Sequence, residues 1–244
     1  MVIGGSPCTS FSNAGTMTGF NGESGLFYTY LEILNHLKSI NSSIKFLLEN
    51  VKMKQEWRDE ISKSVGVEPI LINSAKLSAQ QRNRLYWVNW TVEEPSDKNI
   101  SLNDILTSGF GVTVKNQGKE VSCIKNKAEC LMARDYKGFG NQEMTGVIEP
   151  VSDMTDNTRI VKIQNGILKS DDKEFSIPLS DGNYIIRKLL PIESERCQTF
   201  DDNYTEYGLD NNGKIVKISN TQRYKCLGNS WTCDVIAWLF KFLN

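Results

Sequence analysis

Hydrophobic and polar positions in the first third of the chain alternate between strand-like runs and helix-like spacing. Apolar runs at residues 1–3, 44–48 and 69–72 are short enough to be strands. Apolar residues recur at helical spacing over residues 26–37 and again over residues 57–61. Strands and helices that alternate in this way are typical of an α/β fold with a parallel sheet, in which functional groups follow the strand ends.

Two residues mark the ends of these predicted helices. Ser24 precedes the first helix and is a suitable N-cap, because its hydroxyl can accept a hydrogen bond from a free N–H of the first turn. Gly66 follows the second helix and can terminate it, because glycine adopts a left-handed conformation without steric cost.

The pattern changes near Val92 to short segments interrupted by Gly, Asn and Asp, which predicts a β-rich lobe. Asn165-Gly166 lies between two apolar runs and is a strong signal of a hairpin. Helical character returns near Leu189, where Pro191 is suited to the first turn of a helix. A last predicted helix, residues 232–243, is apolar on most faces and is expected to be buried.

These changes of pattern predict three segments. Residues 1–91 form an α/β portion, residues 92–186 form the smaller β-rich lobe, and residues 187–244 return to the first portion as helices. The predicted fold class is therefore α/β with a second, smaller β-rich lobe.

The composition is that of an ordinary globular domain. The chain has 244 residues, of which 39% are hydrophobic and 23% charged. Neither a run of about 20 apolar residues nor a basic and apolar leader occurs, which predicts a cytoplasmic protein. The six cysteines show no paired C-x-x-C spacing, so we expect reduced thiols and neither a zinc site nor a disulfide framework.

The formal net charge of −1 argues against a generally cationic nucleic-acid binder. One segment is locally basic, since residues 112–140 contain six Lys or Arg side chains and three acidic ones. Such a segment is by itself more often a solvated surface than a track for phosphates.

The segment Gly4-Gly5-Ser6-Pro7-Cys8 is the first candidate for chemistry. A thiol beside a proline, on a glycine-flanked turn after a strand, is accessible and can be activated by neighbouring donors or positive charge. The alternative is a buried structural cysteine, which a lone Pro-Cys pair does not exclude.

Five short motifs follow one another at plausible separations and favour a catalytic over a structural role for Cys8. They are Pro7-Cys8, Glu49-Asn50-Val51, Gln80-Gln81-Arg82-Asn83-Arg84, the segment 187–196 with Pro191-Ile192-Glu193, and Gly228-Asn229-Ser230. The series resembles the cytosine-5 DNA methyltransferases, and the resemblance covers essentially the whole chain. Residues 78–87 more closely resemble the mammalian de novo branch of that family and its phage and bacterial relatives.

The resemblance implies a covalent reaction. It makes Cys8 the thiolate that adds to carbon-6 of cytosine, because carbon-5 alone is too weak a nucleophile to take a methyl group. It makes Glu49 the acid that hydrogen-bonds ring nitrogen 3. Arg84 is the candidate for holding the 2-keto oxygen, with Arg82 assisting or bonding a phosphate. The plainer alternatives are an exposed strand-end carboxylate and surface salt bridges.

The resemblance also implies double-stranded DNA as the partner. The target base must be flipped out of the duplex, and residues 13–25 resemble the segment that closes over it. Residues 92–186 correspond to the family's target-recognition lobe. The residues implied to contact DNA are Ser12, Asn13, Lys125, Arg134 and Lys137.

S-adenosylmethionine is the cofactor that the resemblance implies. Pro7, Asn229 and Ser230 lie in motifs that line its pocket in the family. Glu193, Arg196 and Gln198 are expected to be structural and to orient the recognition lobe.

The family begins with a Phe-x-Gly-x-Gly turn and a later acidic residue that bind this cofactor, and neither precedes Cys8. We therefore expect a partial Rossmann-like methyltransferase sheet without its first strands, little methyl transfer by the isolated chain, and a second chain as one source of the missing strands. One alternative is an inactive remnant or subunit that only binds DNA. A cysteine hydrolase is a weak alternative, because His36 is the one histidine and is expected to be a packed or surface residue.

Overall fold

The computed structural model describes residues 1–7, 11, 19–21, 25–151, 160–170 and 173–243, which form two compact units. The first unit combines Met1–Asn73, Asn83–Glu94 and Trp238–Asn244, and the second combines Ser74–Arg82 and Pro95–Ala237. The segments 1–91, 92–186 and 187–244 stay predictions, because the two compact units are defined by packing and not by function.

The first unit contains a four-stranded sheet and two helices. Its strands are β1 (Val2–Gly5), β2 (Phe46–Val51), β3 (Ile70–Asn73) and β4 (Asn83–Val88), and its helices are α1 (Leu26–Ile40) and α2 (Gln55–Val65). The strand order is β1-β2-β4-β3. Because β1 pairs parallel with β2 while β4 pairs antiparallel with both β2 and β3, the three predicted strands run in one direction.

The sheet is mixed and not parallel as expected, because strand β4 is antiparallel to both of its neighbours. The sequence motif around Arg82 and Arg84 gave no strand prediction, yet residues 83–88 form an antiparallel strand between β2 and β3. Its residues 85–88 are all buried, so the strand lacks the alternation that would have indicated it.

The helices of the first unit form where the spacing predicts them. Phe27 and Leu34 lie on one face of α1 and are completely buried against Phe46 and Trp87. Helix α2 ends at Gly66, which adopts φ 83° as predicted. The N-cap of α1 is Gly25, without a side-chain bond, and the predicted cap Ser24 lies outside the described residues.

The second unit is built on an antiparallel sheet of seven strands. They are β5 (Phe110–Lys115), β6 (Glu120–Ile124), β7 (Met144–Pro150), β8 (Ile160–Gln164), β9 (Ile167–Ser170), β10 (Lys173–Ser176) and β11 (Gly182–Lys188). Their order is β10-β9-β8-β11-β7-β5-β6. The predicted hairpin is confirmed, since β8 and β9 are joined by Asn165 and Gly166 at φ 53° and 68°. The strand-rich pattern predicted after Val92 corresponds to this sheet, whose strands lie between Phe110 and Lys188.

Three helices and a short hairpin follow β11. They are α3 (Pro191–Cys197), a hairpin of β12 (Tyr207–Leu209) and β13 (Ile215–Lys217), α4 (Asn220–Asn229) and α5 (Cys233–Phe240). Helix α3 begins at the predicted proline. Helix α5 is shorter than predicted, and the expectation that it is buried is wrong, because only Val235 and Leu239 of its residues are buried. No helix among the described residues is long and apolar enough to cross a membrane.

Candidate active site

Glu49 and Arg84 come from neighbouring strands of the first unit and contact each other. In the β2–β4 register, Glu49 lies opposite Tyr86, so Arg84 occupies the diagonal position on the same face. The Nε atom of Arg84 lies 3.0 Å from Oε1 of Glu49. The side chains are 14% and 12% exposed, so an acid and a guanidinium are held together with most water excluded.

Asn50 connects the same strand to the segment that precedes Cys8. Its side chain is 1% exposed, and Nδ2 donates to Oγ of Ser6 at 2.9 Å and to the Ser6 carbonyl oxygen at 3.3 Å. The N–H of Val51 donates to Oδ1 of Asn50 at 2.8 Å. Asn50 therefore fixes the chain two residues before the predicted nucleophile. Cys8 itself, like Ser12 and Asn13, lies outside the described residues.

Aromatic residues pack together at both ends of residues 12–18. The ring of Phe11 lies 5.1 Å from that of Phe20 and 5.5 Å from that of Trp57, centroid to centroid. Gly19 has φ 67°, and a Cβ there would lie 2.6 Å from Nε1 of Trp57. The described residues at both ends are thus held against α2. This cluster was not predicted, although its aromatic residues are present in the sequence.

Arg82 is buried in the second unit and bonds main-chain carbonyls. Its guanidinium donates to the carbonyl oxygens of Leu131 at 3.0 Å, Gly228 at 3.2 Å and Ser230 at 2.9 Å. It therefore ties the segment at residue 131 to the predicted cofactor turn. The role of Arg82 at cytosine or phosphate stays a prediction, and these contacts favour a positioning role.

The predicted cofactor turn lies at the end of α4, a helix that the sequence analysis did not identify. At Gly228 a Cβ would collide with the main chain of Met132 and Ala133, so only glycine fits. Asn229 is exposed, and the Ser230 hydroxyl donates to the Leu227 carbonyl at 2.9 Å. Pro7, the other predicted cofactor residue, lies in the first unit and is half-buried.

Two completely buried glutamates of α3 are satisfied by hydrogen bonds within the second unit. Glu193 accepts from Nη1 of Arg187 at 2.8 Å and from the N–H of Leu190 at 2.8 Å. Glu195 accepts from Nη2 of Arg223 at 2.9 Å and from the N–H of Asn203 at 2.8 Å. Burial by itself raises the pKa of both carboxyls, but hydrogen bonds outweigh it and lower each pKa.

The three predicted DNA-binding cations of the second unit do not share one environment. Arg134 and Lys137 are exposed and line one open cleft. Lys125 instead forms ion pairs with Glu129 and with Glu143, whose Oε1 lies 3.5 Å from Nζ. The structure therefore brings two of the three together and pairs the third with carboxylates. His36 is exposed on α1.

Comparison with known proteins agrees with the motifs. The chain matches the profile of the C-5 cytosine-specific DNA methylase family over residues 1–243. It is 31% identical to the orphan methyltransferase M.SPRI of Bacillus phage SPR, over 64% of this chain and 41% of that protein. It is 27% identical to the type II methyltransferase M.SsoII of Shigella sonnei, over 97% of this chain and 61% of that protein. It is 26% identical to the type II methyltransferase M1.ScrFI of Lactococcus lactis subsp. cremoris, over 94% and 58%.

The chain thus spans 41% to 61% of the length of these curated relatives. The family profile, in contrast, matches all but its last residue. The chain belongs to the C-5 cytosine-specific DNA methylase family.

Proposed function

We propose that this chain contributes the catalytic and DNA-recognising residues of a DNA (cytosine-5-)-methyltransferase, which acts on a cytosine flipped out of the duplex. The observation that carries the proposal is the contact between Glu49 and Arg84. Cytosine bears N3 and the O2 oxygen at neighbouring ring positions, so a group for N3 and a guanidinium for O2 must lie side by side. The shielded Glu49–Arg84 pair satisfies this requirement.

Cys8 is the proposed nucleophile. Its thiolate bonds to carbon-6, and the electrons of the C5=C6 double bond shift into the ring towards N3. Glu49 hydrogen-bonds N3 and Arg84 binds O2, which stabilises the charge that develops there. Once carbon-5 carries the methyl group, loss of the carbon-5 proton to solvent water restores the C5=C6 double bond and expels the Cys8 thiolate.

S-adenosylmethionine, when bound, supplies the methyl group. We assign Pro7, Asn229 and Ser230 to its site. The exposed amide of Asn229 can donate and accept, and the Ser230 hydroxyl, which donates to Leu227, can accept through its oxygen. These polar groups suit the ammonium and carboxylate of a methionine moiety.

The sheet of the first unit is proposed to be part of a Rossmann-like methyltransferase sheet. Strands β1, β2 and β3 run in one direction, as such a sheet requires. The Phe-x-Gly-x-Gly turn expected from the resemblance does not occur in these 244 residues. We propose that it belongs to the complete assembly, for which a second chain is one source.

Double-stranded DNA is the proposed substrate. Arg134 and Lys137 are exposed and suited to DNA contact, and Ser12 and Asn13 are assigned to backbone phosphates. Lys125 is less suited than predicted, because Glu129 and Glu143 already neutralise its charge.

The test measures 5-methylcytosine formed in duplex DNA by an assembly that binds S-adenosylmethionine. Cys8→Ser is expected to abolish the product. The matched control Cys226→Ser, which alters an exposed cysteine of α4, should retain the wild-type rate. A wild-type assembly that binds DNA and cofactor but forms no 5-methylcytosine would overturn the proposal.

A further inference from the structure

An open cleft in the second unit is bordered by Arg134 and Lys137, the two exposed cations assigned to DNA contact, and by polar side chains that have no role in the proposed function so far. The cleft has a volume of about 400 Å³ and is lined by Arg134, Lys137, Asn141 and Gln142 together with a glycine-rich backbone segment. Among the described residues that line it, none is acidic. The cleft therefore presents two cations and two carboxamides to solvent, which favours a ligand that is both anionic and rich in hydrogen-bonding edges.

The planar groups around the cleft are held in pairs. Nη2 of Arg134 donates to Oε1 of Gln142 at 2.6 Å. Nε2 of Gln117 donates to Oδ1 of Asn141 at 3.2 Å, and the N–H of Gln117 donates to the carbonyl oxygen of Gly140 at 2.8 Å. A guanidinium has five donors and a carboxamide has two donors and two lone pairs, so each group retains capacity beyond these bonds.

The β5–β6 turn that carries Gln117 has an uncommon backbone. Asn116, Gln117 and Gly118 have φ of 49°, 59° and 87°. Residues other than glycine rarely adopt a positive φ. Such a backbone persists where surrounding contacts stabilise it. Here the ring of Phe139 packs over Gly118, where a Cβ would lie 3.3 Å from Cδ2. The turn is therefore fixed against the wall of the cleft.

We infer that Gln117, Arg134, Asn141 and Gln142 form a base-reading edge that selects the DNA sequence, with Lys137 on a phosphate. Carboxamides read adenine through N6 and N7, and arginine reads guanine through O6 and N7, in the major groove. Three carboxamides and one guanidinium, paired by hydrogen bonds, match this chemistry better than a phosphate track, which needs mainly charge. This inference rests on the proposed function and adds the residues that set its sequence preference.

The test is selection of bound sequences from a pool of randomised duplexes. Asn141→Ala and Gln142→Ala should each abolish the preference at one or two positions and lower affinity for the wild-type consensus about 10- to 100-fold. Lys137→Ala should weaken binding to all sequences alike and reduce the salt dependence by about one phosphate contact. The control Asn211→Ala, exposed at the β12–β13 turn, should leave the consensus unchanged.

Gln142→Glu makes the test independent of folding losses. A carboxylate accepts from N4 of cytosine, so the preference should move to cytosine at the same position. An unchanged consensus in Asn141→Ala, Gln142→Ala and Gln142→Glu would overturn this inference while leaving the proposed function intact. Absence of duplex binding by the wild-type complete assembly would overturn the proposed function itself.

Discussion

The guanidinium of Arg84 contacts the carboxylate of Glu49 across two antiparallel strands, with 3.0 Å between Nε and Oε1. The residue after Glu49 is Asn50, whose amide binds Ser6, two positions before Cys8. Three motif elements that are distant in sequence therefore converge at the ends of β1 and β2. This convergence supports the proposed roles of Glu49 and Arg84.

Glu49→Gln should slow methyl transfer about 10²- to 10⁴-fold, because the amide keeps the shape of the side chain but cannot act as an acid towards N3. DNA affinity should stay near that of the wild-type protein. Single-turnover methylation and equilibrium binding, measured in parallel, check this. Equal rates for Glu49→Gln and the wild-type protein would remove Glu49 from the mechanism.

Arg82→Ala should destabilise the fold more than Arg84→Ala. Removal of Arg82 takes a donor from three carbonyl oxygens, of which that of Ser230 keeps a longer bond from Nε2 of Gln198. The cost is about 1–3 kcal/mol for each buried acceptor left unsatisfied. Arg84 is expected to matter mainly for the reaction. Urea unfolding of both variants gives the comparison, and a greater loss of unfolding free energy in Arg84→Ala would contradict it.

The buried glutamates of α3 should make the fold acid-sensitive. Hydrogen bonds from Arg187 and neighbouring main-chain N–H groups overcome the effect of burial and lower the pKa of Glu193. A carboxyl with a lower pKa in the folded state contributes stability above its unfolded pKa of about 4.3, and this stability is lost as the pH falls through the folded value.

Glu193→Gln should therefore lower the melting temperature at pH 7 and flatten its fall below about pH 4.3. Glu56→Gln, on the exposed side of α2, is the matched control and should leave the profile unchanged. Melting curves from pH 7 to pH 3 measure both. Parallel profiles for Glu193→Gln and the wild-type protein would be the contrary result.

Asp135 has the opposite linkage. Burial raises its pKa, against the lowering effects of the Met132 N–H, Arg134 and Lys188. Its Oδ1 is buried with no hydrogen-bond partner among the described residues. The ionised form therefore costs stability above the folded pKa, and this cost disappears as the pH falls towards the unfolded value.

Asp135→Asn should consequently equal the wild-type protein in stability at pH 7 or exceed it by about 1 kcal/mol, because Asn keeps an acceptor for Met132 and carries no charge. The advantage should vanish below about pH 4, where Asp135 is protonated in both states. Urea unfolding at pH 7 and pH 4 checks this, and a large loss at pH 7 would contradict it.

Local periodicity predicted the elements whose pattern is complete in a short window. The helix ended by Gly66 and the hairpin at Asn165-Gly166 are confirmed because their signals are local. Strand β4 was missed because residues 85–88 are all buried and show no alternation. Helix α4 was missed because its residues 220–229 are mostly polar.

The site was predictable in its residue types and less so in its contacts. The resemblance named Glu49 and Arg84, which the strand register brings together. The contacts of Arg82 depend on carbonyl groups up to 148 residues away. Lys125, which follows β6, is neutralised in part by Glu143, which precedes β7. Neither set of neighbours is visible in a local sequence window.

The central claim is that the Cys8 sulfur bonds to carbon-6 of a flipped cytosine. A duplex with 5-fluorocytosine at the target position tests it directly, because fluorine cannot leave carbon-5 as a proton does and the covalent complex persists. In an assembly that binds S-adenosylmethionine, we expect a denaturation-resistant complex that maps to Cys8, and none with Cys8→Ser. Attachment at another residue, or methylated DNA from Cys8→Ser, would contradict the account.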